Sequence, residues 1–598
     1  VILVPIPPST YAGSAPITAG QLDTDLYTYT PGNFHTPNGI LFHANRPLLV
    51  EGLTTPTMKQ ASSSAGSFTD MANTVTANAW KNYADNAVLF GFGEDLPNSV
   101  ATGRLLATVP GSAGAAGSAG GYFLMWGLPV IGATTNAGGF GAALNEAGGG
   151  TVTGGHQLSS TSRDNAAFAL DLVPASTTAY SSPVGVCNDA SGSSYSFVNQ
   201  TGDYSGELCR WYGLWAGVVT GGGTVSTVPT PQTAFAGTTA VTSTLLNGLS
   251  GLGGALNVLN NPPMLRAANL NGGTISTGTV ATVPLAGNTS GTQVDSYSGL
   301  NTGTSTYTVP LAGLYLVHGF VNWSANTGGQ RQAGLQVNST NLWGPSYSAA
   351  GTGGTSPQVT RILDLHAGDT VKLITQQNSG GSLALIGGQP CRLVVVWLGA
   401  LWAGGTALAW TPPATGFRWQ AGTPGADLPA LWQAHMAGDL NFLINRPYLL
   451  SYQSSAQSGL AYNSFDTITM NNLTGRVHAT PGDNYGGWTS GGSNLYTAQA
   501  AGWYLVCAGY FSTAIGGTFH PVAAIAQTPA GYNSPDWYQH VRSVSTSLIP
   551  GAEALGLYYL REGDTVQPVY AVQDGTGTMT TSVGTGTESH FEAVWVSN

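Results

Sequence analysis

The side chains able to do chemistry are scattered through this 598-residue chain without forming a recognisable catalytic motif. Ten histidines are present, and no pair has metal-ligand spacing on an expected helix. His318 lies inside an apolar run and is expected to be a hydrogen-bonded core residue. Glu51, Glu94, Asp95, Glu146 and Asp164 crowd the first third. A glycosidase needs two carboxyls about 5–10 Å apart, a distance that sequence does not supply. Asn188, Asp189, Asp203 and Glu207 share one loop-rich stretch and miss the calcium-loop spacing, so they read as solvated loop residues. No Gly-x-Ser-x-Gly elbow occurs. Cys187 and Cys209 flank a Ser/Gly/Asn-rich loop that they could bridge. Cys391 and Cys507 sit in apolar strand-like runs and read as buried small hydrophobes. No zinc pattern is present. The expectation is a chain without catalytic residues, metal or cofactor.

Aromatic residues carry more weight. Tyr532, Trp537 and Tyr538 fall in a polar, Pro-containing stretch expected to be a loop. Trp343 and Tyr347 occupy the matching stretch earlier in the chain. On a surface poor in charge, such side chains stack on sugar rings or anchor a protein contact. The competing reading has them capping a core or filling an interface between subunits.

The elements that would position these residues are written three times. Gly121-Tyr122-Phe123-Leu124, Gly313-Leu314-Tyr315-Leu316 and Gly502-Trp503-Tyr504-Leu505 recur at spacings of 192 and 189 residues. That period is the size of a domain, not of a solenoid repeat. An Asn-Pro or Asn-x-Pro signal ending at Pro47, Pro263 and Pro447 precedes each copy. A Gly-Gly pair follows each, at Gly138, Gly328 and Gly516. Leu365-His366-Ala367-Gly368-Asp369-Thr370-Val371 matches Leu560-Arg561-Glu562-Gly563-Asp564-Thr565-Val566, predicting a tight Gly-Asp turn between strands. The first copy offers Leu172-Val173-Pro174-Ala175-Ser176 instead. Each copy closes on an apolar strand with a Trp: Trp211 or Trp215, then Trp397, then Trp595. Short helices are expected before the second and third copies, over 245–259 and 428–443; Leu428, Trp432, Met436, Leu440 and Leu443 recur at helical spacing.

Many short strands with close turn signals predict an all-β chain of three tandem jelly-roll β-sandwich modules. The boundaries are an N-terminal arm over 1–20, then modules over 21–225, 226–405 and 406–598. Charged residues are only 7% while 42% are apolar, which excludes a disordered chain and leaves little electrostatic guard against self-association. A net charge of −11 without a basic stripe excludes the usual footprint for nucleic acid. No apolar run is long enough for a membrane-spanning helix. Val1 to Pro8 lacks a basic lead and breaks on prolines, so it is not expected to be a secretory leader. Lysine occurs only at Lys59, Lys81 and Lys372, which suggests a GC-rich genome.

The order Pro, Gly-x-Tyr-x-Val, Gly-Gly, Leu-x-Leu-x-x-Gly-Asp-x-Val and apolar-Trp resembles the C1q/TNF-type jelly roll. Pro310, Gly313, Tyr315, Val317, Leu363, Leu365, Gly368, Asp369 and Val371 carry it in the second copy. Gly502, Tyr504, Val506, Leu560, Gly563, Asp564 and Val566 carry it in the third. Asp439 to Pro447 and Ala255 to Pro263 are similar to the lead-ins of such modules in minor tail proteins of actinobacterial phages, as is the opening from Pro5 to Leu22. The resemblance implies a bacteriophage virion protein of the tail or tail tip, a homotrimer located in the virion and assembled in the host cytoplasm. Its implied partners are further copies of itself and other tail or virion proteins. A host cell-surface glycan is added if the array is adhesive. A capsid fibre or head decoration protein and a host-polysaccharide depolymerase are the alternatives.

Overall fold

The computed structural model describes most of residues 262–402 and 444–597, together with the backbone of ten strands and a few buried side chains before them. The arm over 1–20 and nearly all of both expected helices lie outside the described residues. What is described is almost wholly antiparallel β-structure.

The middle sandwich has an inner sheet in the order Val294–Asp295, Met264–Asn269, Cys391–Gly399, Gly313–Phe320, Gln358–Leu365. Its outer sheet runs Leu300–Asn301, Thr306–Thr308, Thr370–Gln377, Gln330–Val337, Thr340–Ser348. The chain crosses between sheets after Phe320, Ser348, Leu365 and Gln377, which is jelly-roll winding. The C-terminal sandwich repeats the order, with an inner sheet of Tyr448–Tyr452, His590–Ser597, Gly502–Phe511 and Gly551–Leu560. Its outer sheet runs Trp488–Thr489, Leu495–Thr497, Thr565–Gln573, Thr518–Thr528, Asp536–His540. Before them, Leu48–Leu53, Cys209–Val218, Gly121–Gly127 and Asp171–Pro174 form a sheet in the corresponding order.

The repeated sequence landmarks each perform a packing task. Trp397 is paired with Tyr315 and Trp595 with Tyr504, each beside a β-bulge. The register also pairs Trp215 with Phe123 beside a bulge, so Trp215, not Trp211, is the counterpart. The Trp397 indole N–H donates to the Ala312 carbonyl at 3.3 Å, and Trp595 to that of Ala501 at 3.0 Å. The repeated glycine is explained by this ring: a Cβ at Gly313 would lie 2.0 Å from the Trp397 indole nitrogen. The tyrosine two residues on donates its buried hydroxyl to the backbone four residues upstream, Tyr315 to Leu311 and Tyr504 to Ala500. Pro263 and Pro447 offer their carbonyls to the backbone N–H groups of Trp397 and Trp595.

The Gly-Asp turn forms as expected. Gly368 and Gly563 have φ of +92° and +89°, a conformation open to glycine at little cost. Asp369 and Asp564 accept the backbone N–H groups of His366 and Arg561. Cys391 and Cys507 are free and buried. The side chains of Cys187 and Cys209 lie outside the described residues.

Both faces of each inner sheet are buried, as the unbroken burial of Gly313–Phe320 and Cys391–Gly399 records. Inward-facing residues fill each sandwich. The outward faces need another cover, and the seam between the two sandwiches supplies it for the C-terminal inner sheet.

Candidate functional site

The strand Gln358–Leu365 is the last in its sheet, so one row of its backbone polar groups has no strand partner. Such an edge usually has to be blunted or covered. Here it docks onto the outward face of the C-terminal inner sheet. The Thr360 N–H donates to Glu553 Oε2 at 3.1 Å and the Ile362 N–H donates to Glu592 Oε2 at 2.6 Å. The Cys507 thiol donates to the Thr360 carbonyl at 3.7 Å. Two glutamate side chains and a thiol thus stand where a neighbouring strand would be.

Register explains why these side chains meet. Cys507 pairs with Glu592 and Leu555, and Gly509 pairs with His590 and Glu553. Paired residues share a face and alternate residues return to it, so Cys507, Glu592, His590 and Glu553 all face outward. Their sequence separation hides a grouping that three adjacent strands enforce. His590 Nδ1 lies 3.1 Å from Glu592 Oε1. Arg361, 4% exposed, stacks its guanidinium over the Phe511 ring, 5.5 Å from its centroid. A cavity beside them, with room for about one water molecule, is lined in part by Arg361, Arg476, Glu588, His590 and Glu592.

Cys507, His590 and Glu592 are a possible metal-ligand set, all buried, with one ligand atom each lying mutually within 4.8 Å. Sequence spacing had given no sign of it. The donor chemistry does not fit a cation. Burial and the neighbouring carboxylates push the Cys507 thiol well up, away from the thiolate that a metal or nucleophile needs. Arg361 already supplies positive charge at the cavity, and Glu592 Oε2 is engaged by the Ile362 N–H. The cluster reads as docking chemistry.

A second set of contacts clasps the seam. Asp364, fully buried, accepts the N–H groups of Val477 at 3.0 Å, His478 at 3.0 Å and Thr480 at 3.3 Å. A Cβ at Gly475 would lie 2.0 Å from the Asp364 carboxylate, so glycine lets this loop close around it. His478 Nε2 lies 2.5 Å from Asp369 Oδ2, and its ring stacks on His366 with centroids 3.7 Å apart. The Asp of the repeated turn therefore serves both the turn and the seam.

The seam has a defined pH response. Burial raises the Glu553 carboxyl to about 8, opposed by Arg361 and the Thr360 N–H. A raised carboxyl makes its contribution at low pH and loses it as pH rises through about 8. Denaturant midpoints are expected to fall as pH rises from the ordinary carboxyl value of 4.5 to about 8 and to level off above it, and Glu553→Gln, which keeps an acceptor without charge, is expected to flatten that fall. An unchanged slope in the variant would remove Glu553 as its cause. At the other end, burial works against the Asp369 carboxylate, but hydrogen bonds from Asn338, His366 and His478 outweigh it and hold Asp369 below its usual value. That contribution is present above the ordinary carboxylate range and is lost as pH falls through the lowered value.

Trp343, Tyr347, Trp537 and Tyr538 lie on strands and not on loops, which corrects the sequence expectation for these four. Trp343 and Tyr347 belong to the edge strand Thr340–Ser348, and Trp537 and Tyr538 to the edge strand Asp536–His540. Pairing with the neighbouring Gln330–Val337 and Thr518–Thr528 strands draws these β-favouring residues into the sheet. Trp343 is only 9% exposed, and its backbone N–H donates to the Gly586 carbonyl across the seam at 2.7 Å. The side chains of Tyr347, Trp537 and Tyr538, and all of Tyr532, lie outside the described residues. His318 is buried as expected, its Nδ1 2.9 Å from Thr360 Oγ1.

One repeated device had escaped the sequence reading. Asp295 accepts the N–H groups of Gly299 and Leu300, and Asp483 those of Tyr485, Gly486 and Trp488. The signal was Asp295-Ser296-Tyr297-x-Gly299 against Asp483-Asn484-Tyr485-x-Gly487.

No family model matches the chain, and no curated protein matches it. Among solved structures, murine APRIL is similar over 25% of this chain and 98% of its own, at 12% identity and a TM-score of 0.19. The globular domain of zebrafish complement 1qA is similar over 22% of this chain and 92% of its own, at 15% identity and a TM-score of 0.16.

Proposed function

We propose that the chain is a non-enzymatic virion structural protein, a minor tail or tail-tip component built from three tandem C1q/TNF-like jelly-roll modules. The observation that supports an architectural role is the seam. Its buried polar groups are spent on fixing one sandwich against the next, and the cavity among them holds about one water. The phage assignment rests on the resemblance of Asp439–Pro447 and Ala255–Pro263 to tail-protein lead-ins. Antiserum raised against the chain is expected to label the tail tip of phage particles that encode it. Label on the head would favour a capsid fibre or decoration, and unlabelled particles would sink the virion reading.

An adhesive role is the second part of the proposal. Several sites repeated along a virion convert weak contacts with a host glycan into stable attachment. The aromatic pair Trp537 and Tyr538 on an edge strand favours the C-terminal sandwich for it. Trp537→Ala is expected to lower adsorption to host cells by about tenfold or more. Unchanged adsorption would exclude this residue as a receptor contact. Docking of like sandwiches is present within the chain.

A further inference from the structure

The two observed dockings are related by register. On the outward faces, Leu214, Leu124 and Leu172 form one cross-strand row. Met264, Val396, Leu316 and Ile362 form the second, and Tyr448, Val594, Leu505 and Leu557 the third. Two residues before the last member of each row stand Leu170, Thr360 and Leu555. The Thr360 carbonyl is received by the C-terminal face through Cys507, and the Leu170 carbonyl by the middle face through Arg392 Nε at 3.1 Å. Equivalent points on two edges are thus held by the next sheet along. This is a head-to-tail interface, edge to face, and such interfaces close into rings when the rotation permits.

Two surfaces would be left over in an open row: the face of the Leu48–Leu53, Cys209–Val218, Gly121–Gly127, Asp171–Pro174 sheet, and the edge strand Gly551–Leu560. Neither behaves as left over. Leu124, Leu172 and Leu214 on that face are 0% exposed, and Leu555 and Leu557 on that edge are 0% and 1% exposed. The described members of all three rows belong to one continuous apolar cluster. Burying each such side chain contributes roughly 1.5–3 kcal/mol, a strong drive to keep the rows together.

We infer that the chain closes a three-membered ring on itself, with Gly551–Leu560 docked on the outward face of the N-terminal sheet. The outward faces of all three sheets are then consumed within one polypeptide, leaving none for a second copy. The faces are also chemically distinct. The C-terminal face presents Glu553 and Glu592 to edge N–H groups; the middle sheet has Gln358 and Val394 at those positions and presents Arg392 to an edge carbonyl. Identical subunits cannot carry such a code, which fixes the cyclic order of the units and disfavours insertion of a sandwich from another chain. The inference does not depend on the virion assignment.

Light scattering and amide hydrogen exchange on the intact chain test it. The expected mass is that of one 61.1 kDa chain. The amides of Leu555 and Leu557 are expected to exchange within about tenfold of those of Thr360 and Ile362, unchanged on about a hundredfold dilution. A mass near three chains, with protection decaying on dilution, would place the docking between copies and overturn the inference. A single-chain mass with fast exchange at Leu555 and Leu557 would show an open row and overturn the closure. Neither readout needs a variant that might fail to fold.

Discussion

Asp364→Ala is expected to unfasten the two sandwiches at a cost of about 3–5 kcal/mol. The carboxylate is fully buried and accepts three backbone N–H groups from the loop carrying Val477, His478 and Thr480. Alanine removes the acceptor of all three at once, and unpaired buried donors are expensive. The nearby His478–Asp369 contact offsets part of the loss, because it holds the same loop from its other side. In guanidinium, the transition is expected to move to lower denaturant and to separate into two steps as the sandwiches lose their coupling. Asp364→Asn keeps one acceptor and should fall between the two. A midpoint unchanged in Asp364→Ala would mean that the clasp is ornamental and that the apolar rows alone hold the seam.

Glu592→Val should cost a similar amount by a different route. Valine is the residue at this register position in the middle sheet, Val394, so the backbone accepts it. It strands the Ile362 N–H, now bonded at 2.6 Å, and removes the carboxylate beside His590 and the cavity of Arg361. A loss of about 3–5 kcal/mol is expected from breaking a buried charged group out of its network. Glu592→Gln keeps an acceptor for Ile362 and should lose about half as much. Exchange at the Ile362 amide separates the two causes. It should quicken in Glu592→Val and stay slow in Glu592→Gln; equal behaviour in both would mean that charge, not the hydrogen bond, is what the seam requires.

Much of the fold was legible because its signals are local. A glycine that must sit beneath an indole, a tyrosine that bonds four residues upstream, and a Gly-Asp turn each depend on a few consecutive residues. They therefore repeat visibly at Gly313 and Gly502, at Tyr315 and Tyr504, and at Asp369 and Asp564. The aromatic stretch misled for the complementary reason. Polar residues and a proline around Trp537 read as a loop, while the Thr518–Thr528 strand that pairs with it lies outside any local window.

The seam was not legible at all. Glu553, Cys507, His590 and Glu592 are spread over three strands, and only the register gathers them on one face. Asp364 reads in sequence as an ordinary polar residue near a strand end; its burial follows from a loop more than a hundred residues away. Sequence by itself determined the β-rich class, the jelly-roll landmarks and their repetition, since each follows from local backbone and turn chemistry. Tertiary structure alone decided which edge meets which face and which buried charges are matched, because those choices depend on the packing of segments that no periodicity connects.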